Sequence, residues 1–228
     1  MSTVYNFVLY AGPTLALLSE PQLVRERRLK VLPPVQRGDI SLLCRSQPPG
    51  VIILVDGLFH HALAVSHLEI REAINCGWSV WGISSIGAIR AYEMRNLGMH
   101  GFGKVFDLYC QEDDFQDDEV ALLHEPIPPY RMFSEPLVHI RVAVAELQKY
   151  GLLTLDAGSL IISSMKQMWF GARTFQVFEK ELEKIVDYAK LLEIRRIIYP
   201  FDRFRVKTAD LEQFLRIAPY LNERNSQD

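Results

Sequence analysis

Two short apolar runs, each followed by a helical pattern, constrain the fold of this 228-residue chain most strongly. Residues 51–55 end at Asp56-Gly57, and residues 79–83 end at Ser84-Ser85. The first run does not alternate between apolar and polar positions, which is typical of a strand that is covered on both faces of a parallel sheet. The repeated order strand, helix, strand, helix therefore predicts an α/β fold with a Rossmann-like parallel sheet and right-handed crossovers.

Weaker patterns predict the other elements. The expected strands cover residues 4–10 and 30–32, and the expected helices cover residues 21–30, 39–44, 65–76, 86–97, 137–150, 159–192 and 208–217. The segment 125–136 contains four prolines and separates the alternating part from an all-helical part. We therefore expect an α/β core over residues 1–125, a helical region over 126–221 and a disordered tail over 222–228.

Composition excludes several classes of function. The formal net charge of −3 gives no overall attraction to nucleic acid or to an anionic membrane surface. No run reaches the roughly 18 apolar residues of a membrane span, and the N-terminal apolar stretch lacks the basic start of a signal peptide. A cytoplasmic protein is expected.

The three cysteines are far apart, which favours buried thiols over a disulfide framework and leaves a catalytic thiol as the weaker alternative.

Polar residues at the carboxyl ends of the two best-defined strands are the first candidates for a site, because open α/β sheets bind ligands at that edge. A hydroxyl of Ser84 or Ser85 would lie beside the free N–H groups at the start of a helix. It would cap the helix, help to bind an anion or oxyanion, or act as a nucleophile. Asp56 would cap a turn, orient a base, bind a metal or hold a ligand hydroxyl, and Gly57 permits an unusual backbone turn.

The following helices carry further candidates. His67 borders the core-facing side of its helix and is either a structural hydrogen-bonding residue or a functional one. Glu69 shares a site with His67 only if the helix begins after both residues. Arg90 and Glu93 are three residues apart and can pair on the helix surface, although Arg90 can instead bind an anionic ligand.

An acidic cluster precedes the proline-rich segment. It contains residues 112–114 and Asp117, Asp118 and Glu119, with His124 a few positions later. A solvated acidic face and a metal site are both compatible with this composition, but the spacing fits no established metal-binding loop. The order of Ser85, the acidic pair and His124 is also that of the α/β-hydrolase triad, although order alone fixes no geometry.

Seven segments in order resemble the TfuA-like family: A-G-P-T-L, P-P-V-Q-R-G-D-I, V-D-G-L-F, S-H-L-E-I, G-I-S-S-I-G-A-I-R-A-Y-E, G-M-H-G-F-G-K-V-F-D-L-Y and D-D-E-V-A-L-L-H. The resemblance runs from Gly12 to His124 and continues more weakly through residues 134–141 and 173–175. The sequence departs from the family at Leu68, where a lysine is usual. Matching positions carry over Asp56, Gly57, His67, Glu69, Ser85, Gly87, Arg90, Glu93, Asp117, Asp118, Glu119 and His124.

The resemblance implies a function that residue spacing does not reveal. TfuA-like proteins partner YcaO-type enzymes, which use ATP to convert a backbone amide of a ribosomal peptide into a thioamide. The implied role here is sulfur delivery, by promoting hydrolysis of a thiocarboxylated, ubiquitin-like sulfur-carrier protein. On that interpretation Ser85, His67, Asp56 and Glu69 are catalytic and the other matched residues, with Ser84, bind substrate. The chain itself holds no cofactor, and ATP binds to the YcaO partner.

Two other interpretations remain open. The chain is alternatively a non-catalytic module that docks onto a YcaO enzyme and activates it. A small-molecule or nucleotide-binding α/β domain is the second alternative, but no G-x-G-x-x-G or P-loop string supports that interpretation.

Overall fold

The computed structural model describes residues 6–58, 63–111 and 115–221. It divides into two compact units. Unit 1 contains residues up to 115 together with residues from 207 onward, and unit 2 contains residues 116–206. The division thus falls about ten residues before the expected boundary, and the last helix belongs to unit 1 rather than to the helical region. The expected tail over 222–228 lies outside the described residues.

Unit 1 is built on a parallel sheet. Its strands are β1 (Phe7–Tyr10), β2 (Lys30–Leu32), β3 (Val51–Leu54), β4 (Ser79–Ile83) and β5 (His100–Phe102). All four pairings are parallel, and the strand order is β2-β1-β3-β4-β5. This is the flavodoxin-like order among doubly wound folds. The predicted α/β class with a parallel sheet is confirmed, and β5 is a strand that the sequence patterns did not predict.

Helices cover both faces of this sheet. They are α1 (Pro13–Ala16), α2 (Gln22–Glu26), α3 (Asp39–Ser46), α4 (His67–Asn75), α5 (Ile86–Met94), α6 (Lys104–Gln111) and α11 (Val206–Ile217). Ile52 and Leu54 of β3 face a core with Ile70 of α4 and Met94 of α5. The alternate positions of the same strand face a second core. A strand with apolar side chains on both faces has no polar alternation, which explains the continuous run in the sequence.

The second face is covered largely by α11. Val51, Ile53 and Val55 share a buried cluster with Leu211 and Phe214. These two groups are about 160 positions apart in the chain, so no local pattern connects them. Burial of the second face of the sheet therefore depends on α11, which returns to unit 1 from the C-terminal part of the chain.

Unit 2 is helical in its regular structure. Its longer helices are α7 (Leu137–Lys149), α8 (Leu155–Gln167), α9 (Phe175–Glu183) and α10 (Tyr188–Ile198). The single helix expected over residues 159–192 was therefore wrong, because two N-caps interrupt it. The side-chain oxygens of Thr174 and Asp187 accept the N–H groups of Val177 and Lys190, and each begins a new helix.

Buried Arg173 holds the break between α8 and α9 in place. Its guanidinium donates to the carbonyl oxygens of Met165, Lys166 and Met168, which end α8, and to the Asp118 carboxylate at 2.6 Å. A buried charge is tolerated there because its donors are hydrogen-bonded.

None of the helices within the described residues combines the length and apolar character needed to cross a membrane.

Asp210 of α11 gives unit 1 a pH-dependent stability. Its carboxylate accepts the N–H groups of Lys104 and Val105 at 2.8 and 2.9 Å and so caps α6. Burial raises the pKa of Asp210 to about 6, although the two backbone hydrogen bonds act in the opposite direction. A raised pKa means that the folded chain binds the proton more tightly than the unfolded chain does. This contribution to stability is present below the unfolded pKa of 3.8 and is lost as pH rises to about 6.

We expect Asp210→Asn to remove this pH dependence. The wild-type free energy of unfolding should fall by roughly 2–3 kcal/mol relative to the variant between pH 4 and pH 7, since one pKa unit corresponds to about 1.4 kcal/mol. Urea unfolding at a series of pH values measures the difference. Parallel curves for the two proteins would contradict the prediction.

Candidate functional site

The strand order places a switch point, where doubly wound folds form a ligand-binding crevice, at the carboxyl ends of β1 and β3. The chain leaves β1 toward β2 on one side of the sheet and leaves β3 toward β4 on the other side. The loops that follow the two strands therefore separate, and ligands of doubly wound folds bind at this switch point. The loop after β1 contains Gly12 and Thr14, and the loop after β3 contains Asp56.

Asp56 ties these two loops together. Its Oδ2 accepts the N–H groups of Gly12 and Thr14 at 2.9 Å each, and its Oδ1 accepts the Thr14 hydroxyl at 2.7 Å. The ammonium of Lys207, at the start of α11, lies 3.9 Å from Oδ1. Asp56 is only 2 % exposed. Among the roles considered from the sequence, the structure shows a carboxylate that fixes the loop after β1 and faces a buried cation.

The turn from β4 into α5 is tightly constrained. Ser84 has a φ of +66°, a left-handed conformation that is uncommon for a residue other than glycine. Its buried hydroxyl donates to the carbonyl oxygen of Lys207 at 2.7 Å. Gly87 permits the approach of α5 to the sheet, because a Cβ there would lie 1.8 Å from the carbonyl oxygen of Leu54. The turn thus has the close packing of a nucleophile elbow without its glycine spacing.

Two hydrogen-bond donors at the start of α5 have no partner within the described residues. Ser85 is the N-cap, but its side chain makes no capping hydrogen bond and the residue is 2 % exposed. The neighbouring N–H of Ile86 likewise makes no hydrogen bond to the described part of the chain. The first N–H groups of a helix have no intrahelical partner and are met by a side chain, water or a ligand. A hydroxyl and an N–H that lie side by side without a capping bond are therefore suited to a ligand oxygen.

His67, Arg90 and Glu93 form a separate network on the helical layer. Nε2 of His67 donates to Oε2 of Glu93 at 2.7 Å, and Arg90 donates to the same oxygen at 2.6 Å. Nε of Arg90 also donates to the carbonyl oxygen of Val65. The His67 side chain is 55 % exposed. Along α5, Glu93 is eight residues from Ser85, which corresponds to about 12 Å of helix. The structure therefore separates this network from the Ser85 turn.

A family model for TfuA-like proteins matches residues 56–174, just over half of the chain. The chain belongs to the TfuA-like family. The comparison with curated proteins gave no match. The TfuA-like match begins at Asp56 and includes the β4–α5 turn and the His67 network. It excludes Thr14 and Lys207, which complete the environment of Asp56.

Glu69 has a structural position within the TfuA-like match. Its carboxylate accepts the N–H and the hydroxyl of Ser66, the N-cap of α4, in a capping box. The other carboxylate oxygen accepts the N–H of Gly38 at 2.6 Å. Because α4 begins at His67, Glu69 points away from that histidine. The condition for a site shared by both residues, a helix that begins after them, is not met.

The acidic residues of the match that the structure describes lie in unit 2. Asp117, Asp118 and Glu119 form one 3-10 turn. Glu119 is buried and receives two hydrogen bonds from Arg141 at 2.7 and 2.8 Å, while Asp118 pairs with Arg173. Residues 112–114 lie outside the described residues. Within the part of the chain that is described, no group of three potential ligands is arranged for a metal ion.

His124 is also in unit 2. Its Nδ1 donates to the carbonyl oxygen of Glu125, and its ring lies against Tyr130. A concavity of about 240 Å³ in the same unit is lined by Phe133, Glu135 and Arg205, among others. The Arg205 guanidinium is already paired with Glu135 and Asp202. Burial raises the pKa of Glu135, but hydrogen bonds and charges from His139 and Arg205 outweigh it and lower that pKa below its usual value.

Thr14 and Lys207 were not predicted from the sequence as site residues. A partial signal for the first existed, because the turn A-G-P-T was expected to present backbone N–H groups. Lys207 had no local signal, since it precedes an ordinary amphipathic helix and approaches Asp56 only in the folded chain.

We expect Asp56→Ala to destabilise the protein by about 3–5 kcal/mol, because it removes the carboxylate that faces the buried ammonium of Lys207 and frees two backbone donors. The matched control is Asp39→Ala. Asp39 accepts one exposed backbone N–H from Gln36, and its loss should cost about 1 kcal/mol. Chemical unfolding of both variants measures the contrast, and similar losses would argue against a central role for Asp56.

Proposed function

We propose that this TfuA-like protein delivers sulfur for YcaO-dependent thioamide formation, by promoting hydrolysis of a thiocarboxylated sulfur-carrier protein. The products would be the carrier carboxylate, hydrosulfide and a proton. The site of hydrolysis would be the crevice between Asp56 and the β4–α5 turn. Membership of the family supports the assignment, and the geometry of the crevice supports its chemistry.

The pair of unpartnered donors at Ser85 and Ile86 is the observation that carries this proposal. Hydrolysis of a thiocarboxylate develops negative charge on the oxygen of the attacked carbon. Hydrogen-bond donors that are already in place stabilise this charge in the transition state. They stabilise the transition state more than they stabilise the bound substrate. The Ser85 hydroxyl and the Ile86 N–H, at the positive end of α5, provide two such donors.

The same geometry favours Ser85 as a donor over Ser85 as a nucleophile. A serine nucleophile normally hydrogen-bonds to a base that removes its proton. Within the described residues, no histidine or carboxylate makes a hydrogen bond to the Ser85 hydroxyl. A water molecule is therefore the proposed attacking group.

The exposed network of His67, Arg90 and Glu93 supports a second candidate function. These residues lie in the family match, and they bond to one another rather than to the crevice, with His67 the most exposed of the three. Exposed polar residues such as His67 and Glu93 are typical of recognition surfaces. The corresponding function is a non-catalytic module that docks onto and activates the YcaO partner.

A direct assay separates the two functions. Under the proposal, the purified protein alone releases sulfide from the thiocarboxylated carrier, and thioamide formation on a peptide additionally requires a YcaO-type enzyme and ATP. Sulfide is measured colorimetrically and the thioamide by mass spectrometry. If the protein releases no sulfide alone but increases the thioamide yield of YcaO with free sulfide, the docking function is correct instead.

Substitution of Ser85 tests the donor role. We expect Ser85→Ala to lower sulfide release by about 10²–10³-fold, as for loss of one oxyanion donor. Stability should change little, because the hydroxyl makes no capping bond. Ser46→Ala, on α3, is the control with unchanged activity. Mass spectrometry of acid-quenched reactions should find no acyl-enzyme. An acyl group on Ser85 would show that the serine is the nucleophile.

A further inference from the structure

We propose that Cys44 and Cys76 are a redox modification site, at which a dissolved low-molecular-weight disulfide oxidises the two thiols to a reversible internal disulfide. Both cysteines belong to unit 1. They lie toward the amino edge of the sheet, whereas Asp56 lies at the carboxyl edge, where β3 ends. The inference therefore goes beyond the proposed function and uses none of the groups assigned to it.

The helices α3 and α4 bring the two cysteines to one edge of the sheet. Both helices pack on the same face, because Ile40 of α3 and Ile70 of α4 belong to one buried cluster, and the helices contact each other. They lead into β3 and β4, which pair in parallel. Helices that lead into adjacent parallel strands end at the same edge of the sheet. Cys44 lies in the last turn of α3, and Cys76 is the C-cap of α4.

Contacts at both ends hold these two helices side by side. Beyond their C-terminal ends, the connecting segments adjoin, since a Cβ at Gly77 would lie 3.8 Å from Pro49. At their N-terminal ends, the N–H of Gly38 donates to the Glu69 carboxylate of α4 at 2.6 Å. The relative position of the two cysteines is therefore fixed by the fold of unit 1.

The electrostatic surroundings of Cys44 identify Cys76 as its neighbour. Burial raises the pKa of the Cys44 thiol, and the negative charges of Cys76 and Glu72 raise this pKa further. Glu72 and Cys76 are four residues apart and therefore lie on the same face of the helix. That face of α4 is the one directed toward Cys44.

The exposure of the two thiols suits exchange with a small molecule. Cys76 is exposed and Cys44 is half-buried, while the third cysteine, Cys110, is also exposed. The expectation of buried thiols was therefore wrong for two of the three cysteines. An exposed thiol is accessible to a dissolved disulfide, and a second thiol beside it can resolve the mixed disulfide that forms.

The proposed exchange has two steps. The Cys76 thiolate attacks one sulfur of a dissolved disulfide RSSR, which forms a mixed disulfide at Cys76 and releases RS⁻. The Cys44 thiolate then attacks Sγ of Cys76 and releases the second RS⁻. Two electrons pass from the cysteine pair to RSSR, and the two cysteine protons protonate the released thiolates. Because the attacking group is a thiolate, and the pKa of Cys44 is raised, the second step should become faster as pH rises.

The Cys110→Ser variant tests the pair in the full-length chain, because it retains only Cys44 and Cys76. The protein is equilibrated with mixtures of reduced and oxidised glutathione, with and without urea, and free thiols are alkylated before mass spectrometry. An internal disulfide lowers the mass by two hydrogen atoms, whereas a mixed disulfide adds glutathione. We expect the folded chain to form the internal disulfide, with an effective concentration of the two thiols at least about 10-fold higher than in urea.

Cys44→Ser is the matched control, because it retains Cys76 and Cys110, which the structure does not place together. This variant should form mixed disulfides alone. If folded Cys110→Ser forms mixed disulfides alone, or if its effective concentration is the same in urea, the inference is overturned. An internal disulfide in folded Cys44→Ser would also overturn it. None of these results affects the proposed release of sulfide, which involves no cysteine of this chain.

Discussion

The hydrogen bonds of Asp56 are the interaction on which the candidate site depends. One buried carboxylate fixes the loop after β1 through Gly12 and Thr14 and faces the ammonium of Lys207. Because Lys207 is also bonded to Ser84, the same group of contacts connects the ends of three chain segments: the β1 loop, the β4–α5 turn and the start of α11. Without the carboxylate, these segments would place uncompensated donors and a buried charge in a low-dielectric environment, which is costly.

The residues shared with the TfuA-like family fall into two groups, one buried and one more exposed, and the two groups suit different functions. Asp56, Ser85 and Gly87 are buried at the switch point of the sheet, where the start of α5 presents donors without a capping bond. His67, Arg90 and Glu93 form an exposed network, which is better suited to contact with a partner protein than to chemistry on a buried carbon. The proposed sulfur-delivery function would use both kinds of surface, one to release sulfide and one to bind the enzyme that consumes it.

Much of the sheet could be predicted from the sequence, since β3 and β4 lie close to their expected limits. Such strands are recognised locally by a continuous apolar run and a polar end. The helix expected over residues 159–192 was wrong, because two N-cap residues, Thr174 and Asp187, begin new helices within an apolar pattern that continues across the breaks. Glu69 shows another limit: a motif carboxylate can serve a capping box, and only the start of α4 at His67 reveals this.

The sequence by itself determined the α/β class, the family resemblance and the placement of Asp56 and Ser85 at strand ends, because each follows from the order of residues over short distances. The tertiary structure decided which groups meet them. Strand order places the β1 loop beside Asp56, and α11 returns Lys207 to the sheet from about 150 positions away. Contacts between such distant segments result from the burial of apolar surface on both faces of the sheet, to which α11 contributes Leu211 and Phe214. That burial has no periodic signature that links the two segments, so the cation beside Asp56 is visible only in the folded chain.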